Sequence, residues 1–295
     1  MPLAALLSAI RRLVSDRLPI PEAFDERKVF FRGSFPELTA EEIADLAKID
    51  PERLRIYTQT IFTGERSVLR NHFPITFSLL RARFDPDLDT FEFTRDLHAA
   101  RPWKSHLTIG LTTNFVEYLR LDRPDILDRI PELGDVAELE RLTVDISRAE
   151  DSTNSFGTLL EIDQLSAMTV GALMECPAIF PSYVRVHDFE YDVLAFRHLF
   201  IQNGGELPEV LCEQRRTFAV GGRSRALSVK WQAVSEPVFE FIGAQNSDEE
   251  FTLAELADAV IAGEIENQDE AELFKIFVRL LQALIKDGVL LVKAA

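Results

Sequence analysis

Apolar residues recur at three- and four-residue steps through the first half of the chain, and this spacing predicts a succession of helices. The strongest start signal is Asp50 followed by Pro51, an N-cap carboxylate before a proline at the first helical position. That helix should end at His72-Phe73-Pro74, because the residue before a proline avoids the helical region. The helices predicted in this half cover residues 1–13, 39–46, 51–70, 74–84, 88–100, 107–121 and 130–149, and a polar loop is predicted over 151–157.

The pattern changes near Asp163, where apolar residues begin to come in short runs. Alternation of apolar and polar residues over 184–189 predicts a half-buried strand. Residues 215–220 and 225–234 predict a hairpin closed by the four-residue loop Gly221-Gly222-Arg223-Ser224. This half therefore mixes strands with helices.

The C-terminal region shows the clearest helix signals. Thr252 and Glu255 have the spacing of a capping box, in which each side chain satisfies the other residue's backbone amide. Residues 273–285 form an apolar stripe at helical spacing, and Gly288 follows it as a C-cap. A last strand is predicted over 289–292. The sequence thus predicts an α+β fold, with an all-helical domain over 1–165 and a winged-helix-like α/β recognition domain over 166–295.

Composition indicates a globular protein with a core, since 46% of residues are apolar and 27% are charged. No run of about 18 apolar residues is present, so we expect no contact with a membrane. The first residues also lack the basic start of a signal peptide. Cys176 and Cys212 lie outside any C-x-x-C motif, which favours a reducing, cytoplasmic location, although a disulfide between them remains open.

The formal net charge of −17 changes the picture of possible partners. Nucleic acids are bound through cationic contacts that release counterions, so this charge makes nucleic acid an unfavourable partner. It favours a protein or peptide partner, including one with basic faces. The plainer alternative is that the charge only keeps the protein in solution.

Motifs for catalysis and metal binding are missing from the sequence. No two of the five histidines have metal-ligand spacing, and neither glycine pair belongs to a phosphate-binding motif. Glu138 and Glu140 lie two residues apart, so on a helix they face different directions. We therefore expect no catalytic residue, metal or cofactor in the chain itself, while an independent enzyme with scattered catalytic residues stays an alternative.

Aromatic, β-branched and arginine residues cluster in the predicted strands, where a free strand edge could pair with an extended peptide. For each of them the alternative is that it packs the sheet onto the helices. The predicted peptide-binding residues are Tyr183, Val184, Val186, Arg215, Phe218, Arg223, Arg225 and Trp231.

Three segments resemble a family of bacterial proteins named for a DNA-binding domain. The first runs from Tyr57 to the break at His72-Phe73-Pro74, and the second is the segment 131–140, in which Glu132 replaces the family's usual tyrosine. The third is the strand, helix, hairpin and helix order over 180–262. Together they cover most of the chain beyond about residue 40.

Members of that family accompany multinuclear non-haem iron enzymes that modify cysteine in ribosomally made peptides, as in methanobactin and 3-thiaglutamate biosynthesis. By length and acidity the chain looks more like the 3-thiaglutamate type. The resemblance implies a heterodimer in which a TIM-barrel enzyme holds the iron, while this chain binds the precursor peptide and presents its cysteine. A winged-helix transcriptional regulator is the alternative, with Arg215, Arg216, Arg223 and Arg225 touching phosphate.

Overall fold

The computed structural model describes a protein of mixed helix and sheet, so the predicted α+β class is confirmed. It describes residues 5–6, 9–10, 12–13, 20–101, 108–150, 159–245, 249–263 and 270–293. The predicted loop over 151–157 lies outside these residues, as do Leu3 and Leu7 of the predicted first helix. In the described part, no helix has the length and apolar character that crossing a membrane requires.

Two compact units make up the chain. The first contains Met1–His72 and Leu80–Ile126, and the second contains Phe73–Leu79 and Leu127–Ala295. The units differ in extent from the predicted domains 1–165 and 166–295. The reason is that the helix Leu133–Arg148, assigned from sequence to the helical domain, packs on the strands of the second unit.

In the described part of the first unit, all regular secondary structure is helical. The helix starts follow the sequence signals: Glu42 Oε2 accepts from Thr39 N at 2.8 Å, and Asp50 Oδ1 accepts from Glu52 N at 2.9 Å. Buried phenylalanines, among them Phe31 and Phe62, form the centre of the core. The elements up to the start of the second unit's long helix are α1 Phe24–Ser34, α2 Ala40–Ala47, α3 Pro51–His72, α4 Pro74–Leu79, a π-helix Leu80–Phe84, α5 Thr90–Ala100, α6 Thr108–Glu117, a π-helix Tyr118–Asp122 and α7 Pro124–Arg129.

The second unit combines helices with two antiparallel three-stranded sheets, ordered β2-β3-β4 and β5-β1-β6. Its remaining elements in chain order are α8 Leu133–Arg148, α9 Ile162–Ser166, α10 Val170–Met174, β1 Pro177–Ile179, β2 Arg185–Phe189, α11 Val193–Gln202, β3 Thr217–Arg223, β4 Val229–Ala233, α12 Glu236–Ala244, β5 Phe251–Thr252, α13 Leu253–Gly263, α14 Glu270–Lys286 and β6 Leu291–Val292. The predicted capping box is present, since Thr252 N donates to Glu255 Oε2 at 2.7 Å.

The sheet β2-β3-β4 lies between α8 on one face and α12 on the other. Successive residues of a strand point to opposite faces. A Cβ atom on Gly221 would lie 2.7 Å from Ile146 of α8, whereas one on Gly222 would lie 2.8 Å from Val289. Trp231, opposite Gly221, points to the α8 face and donates from its indole Nε1 to Thr143 Oγ1 at 3.0 Å.

The predicted loop Gly221-Gly222-Arg223-Ser224 is therefore wrong, because the two glycines lie inside β3. They are needed where other groups approach the strand too closely for a side chain. The chain turns instead at residues 225–227, between Ser224 and Ser228, where Ser224 N donates to Ser228 O at 3.0 Å. Leu227 is the third residue of this loop and has a left-handed φ of 59°.

Both cysteines are buried free thiols, which answers the open question of a disulfide. Burial raises the pKa of the Cys176 thiol, so this thiol stays protonated at neutral pH. Cys176 belongs to the apolar core around the sheet β5-β1-β6. Cys176 therefore contributes to the packing of this core.

Candidate functional site

An open strand edge is the first requirement for peptide addition, and β4 provides one. Val234 N donates to Phe218 O at 2.9 Å, so alternation along the ladder directs the backbone groups of Lys230 and Gln232 inward, to β3. The N–H and C=O groups of Val229, Trp231 and Ala233 then face outward. Within the described residues, no backbone hydrogen bond joins these groups to another segment.

The opposite edge strand, β2, has fewer outward-facing backbone groups than β4. The same alternation turns Arg185, His187 and Phe189 toward β3 and leaves Val186 and Asp188 facing outward. Phe189 is fully buried, whereas every residue of β4 keeps some exposure. β4 thus has the longer row of outward-facing backbone groups; α11 packs against this strand without a backbone hydrogen bond to it.

The smaller sheet has one edge covered by the chain itself. Leu160 N donates to Val292 O at 2.8 Å, and Leu159 pairs with Lys293 in an antiparallel bridge. These contacts occupy the outer side of β6. The other edge of this sheet is β5, which is only two residues long. The larger sheet therefore offers the longer edge for an added peptide strand.

A cleft of about 500 Å³ adjoins the hairpin turn that leads into β4. One wall is the turn itself, and the others come from the segment that covers β6 and from the end of α14. Its apolar lining residues are Leu159, Leu160, Ile162, Tyr183, Ala226, Leu227, Ile285, Leu290, Leu291 and Val292, and its charged ones are Glu161, Arg223, Arg225 and Lys286.

Close backbone approach fixes the cleft's wall in place. Gly288 ends α14 with a left-handed φ of 70°, and a Cβ atom there would lie 2.6 Å from the carbonyl carbon of Arg223. The end of α14 consequently lies directly against the last residue of β3. Only glycine allows both this φ and this contact.

Three of the eight predicted peptide-binding residues, Tyr183, Arg223 and Arg225, line this cleft. The Arg223 guanidinium lies 4.7 Å from the centre of the Tyr183 ring and donates to the carbonyl oxygens of Ser147 and Ala149 at 3.2 and 3.0 Å. It therefore caps the C-terminus of α8. Arg225 forms an exposed ion pair with Glu161.

The other five predicted residues lie outside the cleft. Val184 and Val186 pack against the apolar core, so their side chains support the sheet. The Phe218 ring lies 5.1 Å from that of Phe239 in α12. Trp231, bound to α8 through its indole, offers only its backbone to the edge, and Arg215 forms an ion pair with Asp192.

Sequence reasoning missed the residues that complete the cleft, notably Leu227, Lys286 and Glu161. A leucine inside a polar turn is a signal that could have pointed to Leu227. Burial raises the pKa of the neighbouring Asp287, whose carboxyl also interacts with Lys230 and Lys286. The described residues contain no group of three or more His, Cys, Asp or Glu side chains placed to hold a metal ion.

No family model matches the chain, and no curated protein matches it. Two features of the described chain offer surface to a ligand: the outward-facing backbone of β4, and the cleft beside the turn that precedes it. Both belong to the second unit.

Proposed function

We propose that the chain is a non-catalytic partner subunit that binds an extended peptide along the open edge of β4. The observation that supports this is the row of outward-facing backbone groups on Val229, Trp231 and Ala233, which no described segment of the chain pairs. Following the family resemblance, the peptide is a ribosomally made precursor whose cysteine is presented to a multinuclear iron enzyme. The iron belongs to that enzyme.

Strand addition suits this edge energetically. Three residues offer six backbone groups, and each new hydrogen bond contributes about 0.5–1.5 kcal/mol. Part of that gain offsets the cost of ordering the peptide. Backbone pairing gives affinity without strong sequence preference, so side-chain pockets beside the edge must supply selectivity.

The recognition part of the fold is, in this proposal, winged-helix-like. Its support is the order of β5, α13, α14 and β6 along the chain, with both strands paired to β1. Helices α13 and α14 pack with this sheet around one core. The hairpin of β3 and β4 would be the element that receives the peptide.

The edge can be tested with a matched pair of proline variants. Ala233→Pro removes an outward-facing N–H from an exposed residue, whereas Lys230→Pro removes one that bonds to β3. We expect Ala233→Pro to keep the fold and to lose enrichment of peptides from a phage-displayed random dodecapeptide library. Lys230→Pro should lower the melting temperature. Equal enrichment by wild type and a folded Ala233→Pro would contradict peptide addition at β4.

The partnership needs a separate test. Co-expression with a multinuclear iron enzyme of the kind that the resemblance implies should yield a stable heterodimer on size-exclusion chromatography. The enzyme's turnover of its precursor peptide should fall when the chain is left out. Full activity of the enzyme alone would defeat the proposed role.

A DNA-binding regulator, the alternative from sequence, would need cations facing phosphate. In the hairpin region Arg216 is paired with Asp188 at 2.7 Å, and Arg215 and Arg225 also have acidic partners. These pairs and the net charge of −17 favour the peptide. In a mobility-shift assay over a salt series, a shifted DNA fraction that falls as the salt concentration rises would support DNA binding instead.

A further inference from the structure

Leu227 occupies an unusual position for a leucine. Among the described residues it is the non-glycine residue with a positive φ, 59°, and the residue as a whole is 71% exposed. Glycine is the usual residue at the third place of such a three-residue hairpin loop. A strained backbone and an exposed apolar side chain both disfavour leucine here, which points to a role outside folding.

The side chain of Leu227 forms part of the apolar lining of the cleft, together with Leu159, Leu160 and Ile162 on the facing segment. The cleft's volume of about 500 Å³ accommodates more than one apolar side chain. Apolar surface of this kind gains free energy when another apolar group covers it. Leu227 would thus close over an inserted side chain.

The cleft is lined mainly by cationic side chains, whereas the protein as a whole is acidic. The described lining includes three cationic side chains, Arg223, Arg225 and Lys286, and one acidic side chain, Glu161. The chain as a whole carries −17. Most of the protein surface would repel an anionic group, whereas the cationic side chains that line the cleft would attract it.

The Arg225–Glu161 pair can exchange partners. Both side chains are exposed, at 70% and 58%, and an ion pair in this setting is weak. A carboxylate on a bound ligand could replace Glu161 as the partner of Arg225, through two parallel hydrogen bonds from the guanidinium. Arg223, held by the end of α8, would keep its place during this exchange.

We propose that the cleft selectively binds an apolar residue followed by an acidic residue in a bound polypeptide. This inference rests on the proposed function, because the cleft adjoins the turn that leads directly into β4. The apolar side chain would lie between Leu227 and Leu159, and the carboxylate would pair with Arg225. Backbone pairing at β4 would hold the peptide, and the cleft would select it.

The probe is an array of immobilised octapeptides in which two adjacent positions vary over all residue types. Wild-type protein should bind Leu-Glu and Leu-Asp pairs about tenfold better than Ser-Glu pairs, the ratio expected from burying one large apolar side chain. It should also prefer them to Leu-Lys pairs, which lack a carboxylate for Arg225. Leu227→Gly and Leu227→Asn, which suit the backbone conformation, should keep the fold and lose the leucine preference. Leu211→Gly removes an equally exposed leucine, 73% exposed and outside the cleft, and should change nothing.

Charge reversal tests the second half of the motif. Arg225→Glu should invert the preference from Glu toward Lys at the second position, whereas Arg53→Glu, an equal charge change in the first unit, should not. A folded Leu227→Gly protein that keeps the wild-type preference would overturn the inference. So would concentration-dependent dimerisation in sedimentation that Leu227→Gly abolishes, since the cleft would then bind a second copy.

The two proposals fail in different ways. Loss of all array binding in Ala233→Pro, with selective loss in Leu227→Gly, supports both. If Ala233→Pro binds normally while Leu227→Gly loses selectivity, the cleft proposal stands and edge addition fails. If wild type binds peptides without preference and Ala233→Pro does not bind, edge addition stands and the cleft proposal fails.

Discussion

Replacing Glu140 with glutamine should remove a large part of the pH dependence of folding in the second unit. Glu140 lies on α8, and its buried carboxyl group accepts from Ile75 N at 2.8 Å, Thr76 N at 3.1 Å and Thr76 Oγ1 at 2.7 Å. These donors belong to the first turn of α4. Burial raises the pKa of Glu140 to about 7, against the lowering effect of these bonds and of Arg197.

The sign of the effect follows from proton binding. An unfolded glutamate loses its proton near 4.5, whereas folded Glu140 keeps it until about pH 7, so the folded state binds more protons between these values. The stability that this provides is fully present below pH 4.5 and is lost as pH rises through 7. The difference between the two pKa values corresponds to about 3 kcal/mol.

Urea unfolding at about pH 4 and about pH 8 would measure this difference. Trp231 is a suitable fluorescent reporter because its indole is bound to Thr143 on the same helix, and Trp103→Phe removes the second tryptophan. Between these two pH values, the free energy of unfolding should fall by about 3 kcal/mol more in the wild type than in Glu140→Gln. The glutamine variant should also be less stable at low pH by about 1–3 kcal/mol, since both oxygens of a protonated carboxyl group can still accept hydrogen bonds, whereas the amide nitrogen of glutamine cannot.

Glu138→Gln is the matched control for this experiment. Glu138 is also buried on α8, but its carboxylate is paired with Arg141 at 2.6 Å. Its loss should destabilise the protein without removing the pH dependence attributed to Glu140. A Glu140→Gln protein with the full wild-type pH dependence would refute the reasoning.

Glycine substitutions test the close approaches that fix the cleft and the sheet. Gly288→Ala should cost about 3 kcal/mol or more, because it combines left-handed strain with overlap onto the Arg223 backbone. Gly221→Ala should cost about 1–3 kcal/mol, since its Cβ would lie 2.8 Å from the Trp231 ring. Gly64→Ala, in a helix with nothing within 4 Å, should instead stabilise by about 0.5–1 kcal/mol, and urea titrations compare all three.

Helix boundaries were predictable because local chemistry determines them. Thr39, Asp50 and Thr252 each satisfy, or are satisfied by, groups two or three residues away. The break before Pro74 is local in the same sense. What periodicity could not show is that the predicted helices over 74–84 and 107–121 would each end in a π-helical turn.

The hairpin loop was mispredicted because the same residue type serves two purposes. Gly221 and Gly222 have the sequence signature of a turn, yet they lie in β3 with Ile146 and Val289 against them. Those neighbours are far away in sequence, so no local pattern could reveal them. The true turn contains Leu227, a residue that turn statistics disfavour.

The candidate site was predictable only in part, for a related reason. A charged or aromatic residue in a strand has several possible partners, and sequence does not choose among them. Arg223 is an example: it was predicted to bind peptide, it lines the cleft, and it also caps α8. Its contribution to a ligand would come mainly through the fixed position of its charge.

The two features proposed to bind peptide depend on one structural junction. Gly288 at the end of α14 lies against Arg223 at the end of β3, and the turn to β4 follows at once. A change that moves this junction would alter the cleft's wall and the start of the edge strand together. Gly288→Ala should therefore impair both affinity and selectivity, if it folds at all, whereas Leu227→Gly should affect selectivity alone. We expect this difference because the cleft and the β4 edge are separate binding surfaces that depend on the same junction.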